Sequence, residues 1–417
     1  MDKISLVILG AGSRGYFTYA KIASQMKDKY RIVAVVEPDD EKRERFIATY
    51  HIPEENAFRD WKQLLDKKGK IADVVIIATP DDVHVEPAIA FAKAGYDILL
   101  EKPIARRPDE LVRIQREIAN TGRTVIVAHV LRYTPFFQKI EEIIESGEIG
   151  KVKGIDHREQ VGFFHFAHSF VRGNWRRSDE TAPSILTKSC HDTDIMLWLV
   201  GKRIERVAAF GDLLFFNLKN KPKEATDRCV DCPLKETCPY SAVRIYLGDW
   251  TGWPVNTITV DLSYEGRLKA IKEGPYGRCV FSCDNDVCDY YAVSIDYEDD
   301  IFGTFTLTGL SNEITRVITL FGTHGEVVGD FEKGEIILKR YGGKEEKLEI
   351  KAEGGHLGGD EGLMQHLYEV ISGQRKPLTA LEDSLESHYV AFAIEESRLS
   401  GKVISIDSYK EKLFGKY

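Results

Sequence analysis

The most constraining feature of this chain is a six-residue turn near its start. Gly10-Ala11-Gly12-Ser13-Arg14-Gly15 follows directly on the apolar run Ile4 to Leu9 and opens a helical stretch through about Lys27. A short run that is apolar at nearly every position fits a strand buried on both faces. Gly-x-Gly-x-x-Gly alone says little, but between a strand and a helix it carries a mechanism. Gly10 permits the tight turn, Gly12 lets the backbone approach a pyrophosphate, and Gly15 lets the helix pack closely on the sheet. The helix N-terminus, with Ser13 and Arg14 in the loop, offers unpaired N–H groups to phosphates.

The alternation continues. Arg31 to Val36, Val74 to Ala78, Ile98 to Leu100 and Thr124 to Ala128 read as further strands. Residues 59–66, 82–94 and 107–120 carry helical spacing. Alternating strands and helices over about 130 residues predict a parallel sheet with helices on both faces. Ligands in such folds bind beyond the carboxyl ends of the strands. Glu37 ends the second strand. A carboxylate there accepts from both ribose hydroxyls and repels a 2′-phosphate, so NAD is expected over NADP, although Arg14 and Arg43 lie nearby. Two later strand ends carry Thr79-Pro80 with His84, and Glu101-Lys102-Pro103. Lys102 is expected to point into the cofactor crevice.

These residues together resemble the Gfo/Idh/MocA family of NAD(P)-dependent oxidoreductases, which act mostly on sugars, cyclitols and related polyols. The resemblance rests on GAGSRG, the acidic end of the second strand, Ala-Thr-Pro with its histidine, and Glu-Lys-Pro. It continues through Gly147-Glu148-Ile149-Gly150 and His191-Asp192-Thr193-Asp194. It implies a Rossmann domain at 1–130, then an α/β domain at 131–417 with a large, mainly antiparallel sheet. It also implies a homo-oligomer, dimer or tetramer, built on that sheet. In the family the Glu-Lys-Pro lysine lies by the nicotinamide, so Lys102 inherits that place. Many members carry Asp-x-Gly-x-His on the helix facing the nicotinamide. Here the stretch reads Thr187-Lys188-Ser189-Cys190-His191, which keeps the histidine and lacks the aspartate.

Residues 183–200 read as one helix, from Pro183 to the stop at Gly201. Lys188, His191 and Asp194 then share a broad face. Residues 165–176 mix histidine, arginine and aromatics in a way that suits a carbohydrate. The substrate-binding candidates are Arg132, His165, His168, Arg172, Trp175 and Lys188. A basic pocket of Lys102, Lys188, Arg132 and Arg172 would suit an anionic cofactor and an acidic sugar. His191 is the expected base, with Lys102 hydrogen-bonding the reacting oxygen, or the reverse. Transient oxidation by a glycoside hydrolase that keeps its NAD is the alternative activity. A non-catalytic dinucleotide and sugar sensor is the second.

Six of the seven cysteines fall within residues 229–288. Cys229, Cys232 and Cys238 give C-x2-C-x5-C, a spacing that suits a structural zinc stapling a charged insertion near 219–240. Cys190, Cys279, Cys283 and Cys288 are the candidates for a fourth ligand. Reduced or paired thiols with no metal, and an iron–sulfur cluster, are the alternatives. Gly354 to Asp360 reads as a flexible active-site loop or a long turn before a helix. The net charge of −9 weighs against nucleic acid and anionic membranes as partners. No apolar run approaches the roughly 18 residues of a membrane helix. A cytoplasmic protein is expected.

Overall fold

The computed structural model describes residues 3–67 and 69–416, so the expected domain ends at 1 and 417 fall outside it. The described residues of the N-terminal region form a parallel sheet of six strands. These are β1 (Ile4–Leu9), β2 (Tyr30–Val36), β3 (Ala57–Phe58), β4 (Val74–Ile77), β5 (Asp97–Leu100) and β6 (Val125–Val127). Their order is β3-β2-β1-β4-β5-β6, the doubly wound arrangement whose strand order reverses beside β1. All six residues of β1 are buried, as its apolar run requires. The edge strand β3 pairs only Val35–Ala57 and Val36–Phe58. Two residues are too few to show a pattern in sequence.

Helices cover both faces. Pro108–Ile118 begins on a proline with Asp109 and Glu110 in its first turn, which suits the helix dipole. One covering helix comes from the far end of the chain. Gly359–Ile371 buries Leu363, Met364 and Leu367 against Tyr19 and Tyr30. The Tyr30 hydroxyl donates to the Met364 carbonyl at 2.6 Å. Thr379 flanks β6 and accepts from the Val127 N–H at 2.9 Å.

The second sheet has nine strands among the described residues. In chain order they are β7 (Val152–Gln160), β8 (Ile204–Asp212), β9 (Tyr290–Tyr297), β10 (Ile301–Thr308) and β11 (Thr315–Gly322). After them come β12 (Gly325–Asp330), β13 (Glu335–Arg340), β14 (Glu345–Glu349) and β15 (Ile404–Ser405). Their order is β14-β13-β12-β11-β7-β10-β9-β8-β15. Only the β7–β10 pair is parallel, so the mainly antiparallel sheet implied by the resemblance is found. One face packs on helices Cys190–Val200 and Leu381–Ser400. The other is open, and burial alternates along β9 and β10 accordingly.

Two expectations are corrected. The helix expected over 183–200 is two helices, Ser184–Thr187 and Cys190–Val200, broken at Lys188-Ser189. The break frees the Thr187 carbonyl, which the Lys102 ammonium takes up at 2.9 Å. Lys188 therefore stands outside the helix that carries His191 and Asp194, and it pairs with Glu159 at 3.2 Å. Residues 163–176 form short helical turns.

Candidate active site

The crevice beyond the strand ends begins at the glycine turn. Gly10 has φ +90°, and a side chain there would meet the Ala78 carbonyl at 2.4 Å. At Gly15 a Cβ would stand 1.8 Å from the Gly10 carbonyl oxygen. Gly12 differs: a Cβ there would meet nothing within 4 Å. Its backbone faces open space at the start of the helical segment Ser13–Ala20, which is where a pyrophosphate needs room. Glu37 is buried at the end of β2, and its carboxylate accepts from the Ala11 N–H at 2.7 Å and the Asp39 N–H at 3.0 Å.

The two nearby arginines are otherwise engaged. Arg14 is locked by the Glu101 carboxylate, by Asp360 at 2.8 Å and by the Tyr19 hydroxyl at 2.8 Å. Its partner Asp360 also meets His356 at 2.9 Å, so the glycine-rich segment before helix Gly359–Ile371 is pinned to the phosphate-loop helix. Arg43 donates to the Glu37 carbonyl at 2.8 Å and pairs with Asp40. His84 is buried, with its ring nitrogens on the Pro103 and Thr79 carbonyls at 2.7 and 3.0 Å. Thr79 spends its hydroxyl on the Val83 carbonyl at 3.1 Å, and Pro80 caps the short turn Asp81–Val83. These groups shape the crevice wall.

Lys102 lies just past β5, with its ammonium 5.6 Å from the centre of the Trp175 ring. Trp175 donates to Asp81 at 2.8 Å, a partner that the sequence pattern did not reveal. An ammonium has three donors, and Thr187 takes one. Among the described residues Lys102 forms no ion pair. His191 is buried, with Nδ1 lacking a hydrogen-bond partner. Burial, then the charge of Lys102 and the ring of His129, hold its pKa well below the usual histidine value. His191 is therefore neutral at neutral pH. Behind it, His129 stands at 5.7 Å and His388 a further 5.6 Å away, ring to ring.

The other expected substrate groups separate into two sets. His165 stays near the site: burial and then Lys188 depress its pKa, and its ring meets Trp253 edge-on at 4.7 Å. Lys188 is paired with Glu159 at 3.2 Å. Arg132 is spent on Asp194 through two bonds of 2.7 and 2.6 Å. His168 is bonded to Tyr246 at 2.8 Å and stacked on Tyr276, inside the Cys-rich insertion. Arg172, at the end of the turn Ala167–Arg172, points toward the Cys-rich segment, where it meets the Arg278 and Tyr240 carbonyls and Cys229. The expected basic pocket is thus not assembled. Carboxylates neutralise two of its four members, and a third faces a cysteine cavity.

Below the site lies a buried charge network that sequence reading missed. Asp192 Oδ1 accepts from His157 Nε2 and from Arg316 Nε, each at 2.8 Å. Arg316 also pairs with Glu159 at 2.7 Å. Burial opposes ionisation of Asp192, but Arg316 and His157 overcome it and hold its pKa below the usual carboxylate range.

Two family models cover most of the chain. Residues 4–129 match the oxidoreductase family, NAD-binding Rossmann fold, of the Gfo/Idh/MocA type. Residues 141–406 match the C-terminal alpha/beta domain of the same family. The chain belongs to the Gfo/Idh/MocA oxidoreductase family. Among Gfo/Idh/MocA relatives, a putative oxidoreductase, YteT, of Bacillus subtilis is 25% identical over 393 residues, 87% of this chain and 88% of its own length. A levoglucosan dehydrogenase of Pseudarthrobacter phenanthrenivorans is 26% identical over 67% of this chain and 60% of its own. Among solved structures, the WlbA dehydrogenase of Bordetella pertussis, in complex with NADH and UDP-GlcNAcA, superposes with TM-score 0.66 at 17% identity. That superposition covers 97% of this chain and 99% of that one. In this member of the family, among the described residues, no helix is long and apolar enough to cross a membrane.

Proposed function

We propose that this protein transfers a hydride between nicotinamide and a carbinol carbon of an uncharged sugar, glycoside or cyclitol. The observation that carries the reading is that the charge of Lys102, free of any ion pair among the described residues, acts on the buried His191 and helps hold it neutral. Bound NAD supplies the hydride acceptor or donor. His191 accepts the hydroxyl proton during oxidation and returns it during reduction. Lys102 donates to the same substrate oxygen and steadies the charge that develops there. Trp175 and Trp253 offer flat apolar faces to sugar C–H groups. Neutralisation of Arg132 and Lys188 favours an uncharged substrate over an acidic one. Glu37 at the end of β2, with Arg14 and Arg43 already paired, favours NAD over NADP.

The test is turnover with NAD+ and with NADP+ across a panel of sugars, glycosides and cyclitols. Stoichiometric NADH supports the dehydrogenase. Glycoside cleavage without net NADH, with solvent deuterium entering beside the oxidised carbon, would replace it by the redox-neutral hydrolase. Tight NADH binding with no turnover on any substrate would leave a sensor.

His191→Asn is expected to lower kcat by about 10²-fold with little change in NAD affinity. In the wild type a base with a depressed pKa loses activity only as pH falls through that lowered value. The acidic limb of kcat should therefore lie below the ordinary histidine pKa of about 6.5. A limb unchanged in His191→Asn would remove His191 as the base.

The open face of the second sheet supports a homo-oligomer. Phe210 and Phe302 are 78% and 60% exposed on it, with Phe321 beside Phe302. Apolar exposure of this kind marks an association surface. Phe302→Asp is expected to shift the light-scattering mass from oligomer toward monomer, and an unchanged mass would move the interface elsewhere. The seven cysteines are all unpaired, which supports a reducing, cytoplasmic location.

A further inference from the structure

The segment between β8 and β9 is unusual for its size. It holds short helical turns, the helix Tyr264–Glu273 and an isolated bridge between Arg228 and Arg278. Its separate apolar core is small: Cys229, Ala242, Tyr246, Val255 and Ile271. Units with so little core are commonly held by a covalent or metal staple. The staple expected from the sequence lacked a fourth ligand.

The structure supplies a candidate. Cys229, Cys232, Cys238 and Cys279 line one cavity of about 30 Å³. Two backbone arrangements bring them there. A short turn, Cys229–Asp231, places Cys232 N–H on the Cys229 carbonyl at 3.3 Å. The Arg228–Arg278 bridge, with Cys279 N–H on the Asp227 carbonyl at 2.8 Å, sets Cys279 beside Cys229. Cys283 turns back on the Cys279 carbonyl at 3.3 Å, and Cys288 is not among the lining residues.

Arg172 is the second observation, and it is independent of the cysteines. Its side chain is fully buried and lines the same cavity. Nε donates to the Arg278 carbonyl at 2.7 Å, Nη2 to the Tyr240 carbonyl at 2.7 Å, and Nη2 stands 3.4 Å from Cys229 Sγ. Nη1 is buried with no partner. Among the described residues no carboxylate pairs with this guanidinium. A buried cation without a counter-charge is strongly disfavoured. Among the described residues that line the cavity there is no carboxylate, and the thiols, led by Cys229 Sγ at 3.4 Å, are placed to supply the counter-charge. Four thiolates around a divalent ion carry a net −2, which a buried guanidinium offsets while its N–H groups point at sulfur.

We propose that Cys229, Cys232, Cys238 and Cys279 hold one zinc ion as a tetrathiolate, with Arg172 as its positioning cation. The C-x2-C pair and the all-sulfur set suit tetrahedral zinc, and the four thiols share one cavity with room for an ion. Binding takes the four thiols to thiolates and releases their protons to solvent. In the structure the sulfurs line the cavity without meeting: among the described residues no group of three is in ligating position. Steps of χ1 between staggered wells re-aim thiols of this kind. The zinc fixes the frame from which Trp253 reaches His165, and Arg172 precedes Trp175 by three residues, so the staple also steadies one wall of the active site.

The experiment is metal analysis of the full chain purified without chelator. One zinc per chain is expected, with no visible absorbance. Absence of metal, an iron–sulfur spectrum, or a disulfide among these cysteines in a thiol titration would each overturn the proposal, whatever the variants do. Exchange with cobalt should give the intense sulfur-to-cobalt bands of a four-thiolate site. Cys279→Ser should weaken those bands and lose zinc, while Cys288→Ser keeps both. Full zinc and unchanged bands in Cys279→Ser would remove it as the fourth ligand. Arg172→Gln should retain zinc but lose it to a competing chelator at about 10- to 100-fold lower chelator concentration. Unchanged competition would remove Arg172 from the site.

Discussion

Lys102→Ala is expected to lower kcat by about 10³-fold, the largest catalytic loss of any single change in this protein. Three observations set the size. Lys102 lies just past β5, beyond the strand ends where a cofactor binds. The carbonyl freed by the break after Thr187 holds its ammonium at 2.9 Å, so the group is aimed before any substrate arrives. Lys102 also contributes to holding His191 neutral, second only to burial. Removing it strips a donor from the reacting oxygen and relaxes the base. NAD affinity, read by fluorescence quenching, should change little, because the proposed pyrophosphate and ribose contacts belong to Gly12 and Glu37. Lys102→Arg should not rescue, since a planar fork cannot both take the Thr187 carbonyl and keep the point donor in place. A second signature follows from the electrostatics. In Lys102→Ala the residual activity should lose its acidic limb at higher pH than in the wild type, because His191 is less depressed. A kcat within about 10-fold of wild type would remove Lys102 from the chemistry.

The parts of this site legible in the sequence were those written in local patterns. The strand, glycine turn and helix of residues 4–27 are contiguous, so their geometry follows from order alone. Lys102 was readable because an apolar strand and a proline bracket it. The parts that were missed depend on where side chains go after folding. Arg14 sits inside the phosphate-loop motif, yet Asp360, far along the chain, decides that its charge is used for packing. Arg172 and Trp175 are near neighbours in sequence and face different chambers. The break at Lys188-Ser189 has no glycine or proline to announce it. The carbonyl it frees is taken up by a lysine in another element. One signal was available and unread. Ile155, His157 and Glu159 alternate on a single parity of β7, with the buried Val161 just past its end, so two polar residues stand on an apolar face. Such residues are buried and need partners.

Those partners lead to the largest expected loss of stability. Arg316→Met should destabilise the fold by about 3–5 kcal/mol at neutral pH. The side chain replaced is similar in length and apolar, so packing is largely kept and charge is what is lost. Asp192 then keeps only His157, and Glu159 keeps only the partly buried Lys188, while both carboxylates stay buried. The pH dependence separates this account from a simple packing defect. In the wild type Asp192 has a folded pKa below its unfolded value of about 3.9. Its stabilisation is therefore present above that value and lost as pH falls through the folded pKa. Without Arg316, burial dominates and Asp192 binds a proton more readily in the folded state. The deficit of Arg316→Met should accordingly shrink as pH falls through the carboxylate range, whereas a packing defect would keep its size. Urea unfolding from neutral pH down toward pH ~4.5 reads the difference. A pH-independent deficit, or one under about 1 kcal/mol, would mean that Asp192 does not depend on Arg316 for its charge. The network also bears on the chemistry, because Asp192 follows His191 on the same helix. Its two bonds hold the first turn of that helix, and with it the direction in which His191, the proposed base, points.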